Sequence, residues 1–141
     1  SKDLGSIDLN LIDKAIKMYS QALDAKNQPA LSDISSKVHF GLGQCFFLQS
    51  YAGMDMPIVN AVNEFQIVID DYGNGKNPRI REITAEAHAR LGLIYDSSGY
   101  SQDAAQEYQL AADLLYDHPE RQALYQKRVQ ELLADVGAIA Q

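Results

Sequence analysis

The chain has 141 residues, of which 46% are hydrophobic and 22% charged, the proportions of a single globular domain with a core of its own. Nineteen acidic residues against twelve basic ones give a net charge of −7 with no concentrated basic stripe, which argues against nucleic-acid binding and against attraction to an anionic membrane. No apolar stretch approaches the ~18–20 residues of a membrane span, no signal peptide is evident, and a single cysteine, Cys45, excludes an internal disulfide and a cysteine-rich zinc site.

The apolar spacing is helical nearly throughout. Leu9, Ile12, Ala15, Ile16, Tyr19, Ala22 and Leu23 recur in steps of three and four, predicting a helix over 8–25 that is capped by Asp8 and ended before Pro29. A second run from Ser32 or Asp33 carries Ile34, Val38, Leu42, Cys45, Phe46 and Gln49, and a loop with Gly53 and Pro57 follows. A third run holds Val59, Val62, Phe65, Ile67, Val68 and Ile69. Its β-branched residues from Phe65 to Ile69 could suit a strand, but Ala61, Val62 and Glu64 continue the helical period. It stops at the breaker cluster from Asp70 to Pro78. The fourth run carries Ile83, Ala87, Arg90, Leu91, Ile94 and Tyr95. The fifth starts at Ser101, read as its N-cap, and continues through Ala104, Tyr108, Ala111, Ala112 and Leu115. Pro119 can open a sixth, with Leu124, Tyr125, Val129, Leu132, Leu133 and Val136. Six helices and no strands are expected.

Two segments share a signature. One reads His39-x-x-Leu42-Gly43-x-x-Phe46 and then Gly53, Ala61, Phe65 and Val68. The other reads His88-x-x-Leu91-Gly92-x-x-Tyr95 and then Gly99, Ala104, Tyr108 and Ala111. A glycine or alanine lets two helices approach, and the aromatic fills the gap farther along. This pattern resembles the tetratricopeptide repeat, a helix–turn–helix unit of about 34 residues. The resemblance implies an all-α fold, a right-handed α-α superhelix of tetratricopeptide-like hairpins. It divides the chain, taken as one domain over 1–141, into a lone second helix (8–25), a repeat with an extended loop (33–71), a second repeat (79–116) and a capping helix (119–137). The missing first helix and the absence of an initiator methionine suggest a piece of a longer chain. In the usual pattern a bulky aromatic stands near the start of the first helix, where this chain has His39 and His88. A looser similarity, resting on Glu64-Phe65-Gln66 and Ala85-x-Ala87-x-x-x-Leu91-Gly92-x-x-Tyr95, links it to bacterial outer-membrane-assembly repeat proteins.

Little in the sequence suggests catalysis. Gly73-Asn74-Gly75-Lys76 lacks a P-loop's first glycine, Asp70 standing there, and its hydroxyl residue, Asn77 standing there. No His-Glu-x-x-His pattern marks a metal, no base accompanies Cys45, and the carboxylates are spread as solvated helix faces. Catalytic residues, metal ligands and cofactors are therefore not expected. Tyr51, Met54 and Met56 lie on the inserted loop from Ser50 to Pro57 and are expected to pack locally. By analogy with the family, the first helices line a concave face with Lys37, Phe40, Gln44, Phe47 and Leu48, and in the next repeat Glu86, Ala89 and Leu93 with Arg90 at the edge. From these, Lys37, Phe40, Gln44, Phe47, Arg90 and Leu93 are the expected partner-binding residues. Phe40 and Phe47 form an exposed aromatic pair meeting an apolar and acidic peptide or partner helix. The family's carboxylate clamp is not carried over, because Phe40 and Gln44 stand in two of its slots. The expected role is a non-catalytic protein-interaction scaffold. The alternatives are a regulatory or substrate-recruiting module of a larger enzyme, or an envelope-assembly protein. The sequence does not name a compartment; the cytoplasm is slightly favoured over the bacterial periplasm.

Overall fold

The computed structural model describes residues 7–24, 32–54 and 57–140. Among the described residues there are six α-helices and no strand. They are α1 (Leu9–Asp24), α2 (Ser32–Tyr51), α3 (Pro57–Ile67), which continues as a π-helical turn over Val68–Tyr72, α4 (Pro78–Ser97), α5 (Ser101–Leu114) and α6 (Pro119–Ala140). The all-α class and the six runs agree with the helical period. The Phe65–Ile69 stretch is helical, with Phe65 and Val68 fully buried in it and Ala61 fully buried one turn before. Pro29 and Met56 lie outside the described residues.

The helix ends follow local chemistry, with one departure. Asp8 Oδ1 accepts from the backbone N–H groups of Asn10 at 3.0 Å and Leu11 at 3.3 Å, which caps α1. Asn77 caps α4 by accepting from Arg79 N–H at 2.9 Å, and Pro78 occupies the first helical position. Ser101 is not an N-cap: it is the first residue inside α5, and Tyr100 takes the cap position without a side-chain hydrogen bond. The cause is Gly99, whose left-handed backbone (φ +87°) turns the chain so that Tyr100 N–H donates back to Tyr95 carbonyl at 2.9 Å. The helix therefore restarts one residue earlier than the serine suggests.

The chain divides into two compact units after Tyr72. In the first, α2 is packed between α1 and α3. Its close approach to α3 is made at Gly43, where an added Cβ would stand 2.6 Å from the Phe65 ring. Its approach to α1 is made at Gly41 against the Tyr19 ring, and Gln49 donates to Asp13 Oδ1 at 3.0 Å. Cys45 is buried in α2, and burial pushes its thiol up from its ordinary pKa.

In the second unit, α5 packs against both α4 and α6. Ala89, Ala104, Ala105, Tyr108 and Ala111 join Val129 and Leu132 of α6 in one buried cluster, with Tyr95 and Tyr125 packed at its edge. Gly92 meets the Tyr108 ring as Gly43 meets Phe65. Helix α6 is covered on one side only. Val129 and Leu132 point inward, whereas Leu124 and Leu133, expected in the core on spacing alone, are exposed. Ile34 and Val59 are exposed in the first turns of α2 and α3; Val59 lies on the side of α3 away from the buried Pro57, Ala61 and Phe65.

Candidate interaction surface

Both hairpins are latched at the same place. His39 on α2 and Glu64 on α3 hydrogen-bond through Nδ1 and Oε2 at 2.6 Å, and His88 on α4 and Glu107 on α5 do so at 2.6 Å. Each histidine lies four residues before the crossing glycine, and each glutamate one residue before the aromatic that meets it. All four side chains are largely buried, so each pair is a charge-assisted contact shielded from water. The sequence reading placed the two histidines in equivalent slots but assigned them no partner. The signal was present as a glutamate directly before each aromatic, Glu64-Phe65 and Glu107-Tyr108. Tyr72, at the end of the π-helical turn, brings its ring to 6.1 Å from the His39 ring.

The expected binding residues are distributed as follows. Lys37, Phe40, Gln44 and Phe47 all lie on one stripe of α2, since steps of three, four and seven residues return to the same side. Lys37 is exposed, Gln44 half-buried, and Leu48 and Tyr51 extend the stripe as exposed apolar groups. Phe40 and Phe47 are half-buried rather than an exposed pair. Phe40 packs 5.5 Å from the Phe65 ring, inside the hairpin, and Phe47 packs 5.3 Å from Tyr51. The inserted segment was expected to pack locally, and Tyr51 does lie on Phe47. Even so, Tyr51 and Met54 both remain exposed, so the segment adds apolar surface instead of closing a core edge.

Arg90 and Leu93 are half-buried on α4 in the second unit. Arg90 is close enough to Tyr108 and Tyr125 for its charge to favour both phenolates. Of the neighbouring positions expected to line an open face, two are covered by α6. Ala89 is inside the α4–α5–α6 cluster. Glu86 accepts from Arg121 at 3.1 Å and from the Tyr125 hydroxyl at 2.9 Å. The reason is that α6 carries Arg121, Tyr125 and Arg128 on one stripe, and these reach Glu82, Glu86 and Asp96 of α4. Burial, the Glu86 charge and the hydrogen bond to Glu86 together push the Tyr125 phenol up to about 12. Arg81 completes the polar seam, pairing with Asp117 at 2.5 Å and lying 4.4 Å over the Tyr116 ring.

The titratable groups in these seams are tied to one another in structural pairs. Among the described residues, no group of three or more His, Cys, Asp or Glu could hold a metal ion, and no helix is long and apolar enough to cross a membrane. No family model, no curated protein and no solved structure matches the chain.

Proposed function

We propose that the chain is a non-catalytic interaction scaffold built from tetratricopeptide-type hairpins, and that it holds a peptide or partner helix on the free stripe of α2. The observation that carries this reading is the run Phe47, Leu48, Tyr51 and Met54. Three of these residues are exposed apolar groups, and Phe47 anchors the patch through its contact with Tyr51. Contiguous exposed apolar groups on the one side of a helix that its neighbours leave uncovered mark an interaction surface, and aromatic residues dominate binding at such patches. Lys37 and Gln44 lie along the same stripe and supply a cation and an amide for the partner's polar groups. The repeat reading draws its support from the duplicated His–Glu latch and glycine–aromatic crossing, which occupy equivalent slots in both hairpins.

The test is binding by variants of this patch. Leu48→Asp alters only an exposed side chain, and Phe47→Ala with Tyr51→Ala removes the aromatic pair. Both are expected to keep the helical circular-dichroism signal and to weaken capture of partners held by the wild-type chain by about tenfold or more. Undiminished capture by both folded variants would place the binding face elsewhere.

A further inference from the structure

The scaffold reading leaves the motif Gly73-Asn74-Gly75-Lys76 unused. It is no phosphate loop, but it contains an Asn-Gly pair, and that pair has a chemistry of its own. The side-chain carbonyl carbon of an asparagine lies within reach of the next residue's amide nitrogen. Closing the five-membered ring between them is hindered by a side chain on the following residue and by a backbone held rigid. Glycine in a turn therefore favours it most.

The chain has six asparagines, and the structure sets Asn74 apart from the others it describes. Asn10, Asn60 and Asn63 are inside α1 and α3, where helical or capping hydrogen bonds hold the following amide and the side chains of Leu11, Ala61 and Glu64 crowd it. Asn77 precedes Pro78, which has no amide proton to lose, and its own side chain accepts from Arg79 N–H at 2.9 Å. Asn27 lies outside the described residues. Asn74 and Gly75 are both exposed, in the turn that leads into α4. The Asn74 side chain has no hydrogen-bond partner among the described residues. Left-handed backbone occurs among the described glycines only at Gly53 and Gly99, so the Gly75 backbone would accept a side chain.

We propose that Asn74 is a site of self-modification, converted in the folded chain through a cyclic imide with Gly75 to isoaspartate and aspartate. The Gly75 nitrogen bonds to Asn74 Cγ as the Cγ–Nδ2 bond breaks, and the Gly75 proton leaves with the side-chain amide as ammonia. Water then opens the ring. Attack at the main-chain carbonyl carbon leaves the chain running through Cγ, which is isoaspartate; attack at Cγ gives aspartate. No electrons are transferred, and water is the only co-reactant. Both products replace a neutral amide with a carboxylate, so the chain gains one negative charge beyond its −7, three residues ahead of the α4 cap at Asn77. Isoaspartate also adds a methylene to the main chain and presents its α-carboxylate as a side group, an acceptor for carboxyl methyltransferases that use S-adenosylmethionine. The site goes beyond the α2 stripe, and neither reading rests on the other.

The test is ageing of the whole purified chain in mildly alkaline buffer, followed by peptide mapping. The peptide holding Asn74 is expected to gain the mass difference between an amide and an acid and to split into two products, the isoaspartyl one in excess. An endoprotease specific for aspartate cuts only the aspartyl product at this residue. An isoaspartyl methyltransferase transfers a labelled methyl group only to the other. Gly75→Val is expected to slow the conversion by about tenfold or more while leaving the helical circular-dichroism signal unchanged. A synthetic peptide of residues 72–77 gives the rate of the unfolded sequence. Asn74 that stays intact in the chain while this peptide converts would overturn the proposal, because the folded turn then protects it. Conversion of Asn60 or Asn63 as fast as Asn74 would overturn it too, by tracing the reaction to unfolded chains. So would a rate indifferent to Gly75→Val, which rules out ring closure onto this residue.

Discussion

Phe65→Ala is expected to destabilise the chain by about 3–5 kcal/mol in urea denaturation, the largest single-residue effect anticipated here. Phe65 is fully buried, its ring lies over Gly43, and Phe40 packs 5.5 Å away at a 55° tilt. Truncation removes the transfer free energy of the ring and leaves a cavity beside a glycine that has no side chain to fill it. The loss is large against the roughly 5–15 kcal/mol that holds an ordinary domain together. A second change identifies the mechanism. In the wild-type background Gly43→Ala puts a Cβ 2.6 Å from the ring and overpacks the crossing. In the Phe65→Ala background the same methyl enters the cavity, so the double variant is expected to be more stable than the sum of the single losses. Strict additivity would mean that the two residues do not meet.

Ala104→Leu is expected to cost about 1–3 kcal/mol, read as a lowered urea midpoint with unchanged slope. Ala104 is fully buried. It lies in a cluster with Ala89, Ala105 and Ala111, where small side chains let α4, α5 and α6 approach closely. Three added heavy atoms can be housed only by moving a helix. Ala123→Leu, at an exposed position of α6, adds the same atoms without burial and is the control, expected within about 0.5 kcal/mol of the wild type. Equal effects at the two positions would contradict a close crossing at Ala104.

The helical period carried the number and rough extent of the helices, because each buries one stripe and solvates the rest. It failed where burial depends on a neighbour that spacing does not reveal. Leu124 and Leu133 fit the apolar period of α6, but only the side bearing Val129 and Leu132 is covered. Glu86 looked like lining of an open face because nothing in its own helix announces that Arg121 and Tyr125 of α6 reach it from 35 and 39 residues away, and Ala89 did because nothing there announces the cluster with α5 and α6 that buries it. The crossings were legible, since a Leu-Gly pair and an aromatic at fixed spacing have few packing solutions. The His–Glu latches were half legible: equivalent histidines were visible, but their partners lie 25 and 19 residues on, and the unequal loops between the helices hide the shared register. Phe40 was read as surface because it shares a stripe with Lys37 and Gln44. Its ring instead turns toward Phe65, a choice of direction that helical position alone leaves open.

Both hairpins are latched by the same His–Glu pair beside the same glycine–aromatic crossing. Parallel double-mutant cycles at His39–Glu64 and His88–Glu107, with alanine at each position and unfolding followed in urea at pH 7, test it most directly. The account predicts a favourable coupling of about 0.5–3 kcal/mol in both hairpins, similar in size, with no coupling across the mixed pairs His39–Glu107 and His88–Glu64. Coupling in one hairpin and none in the other, or none in either, would contradict it.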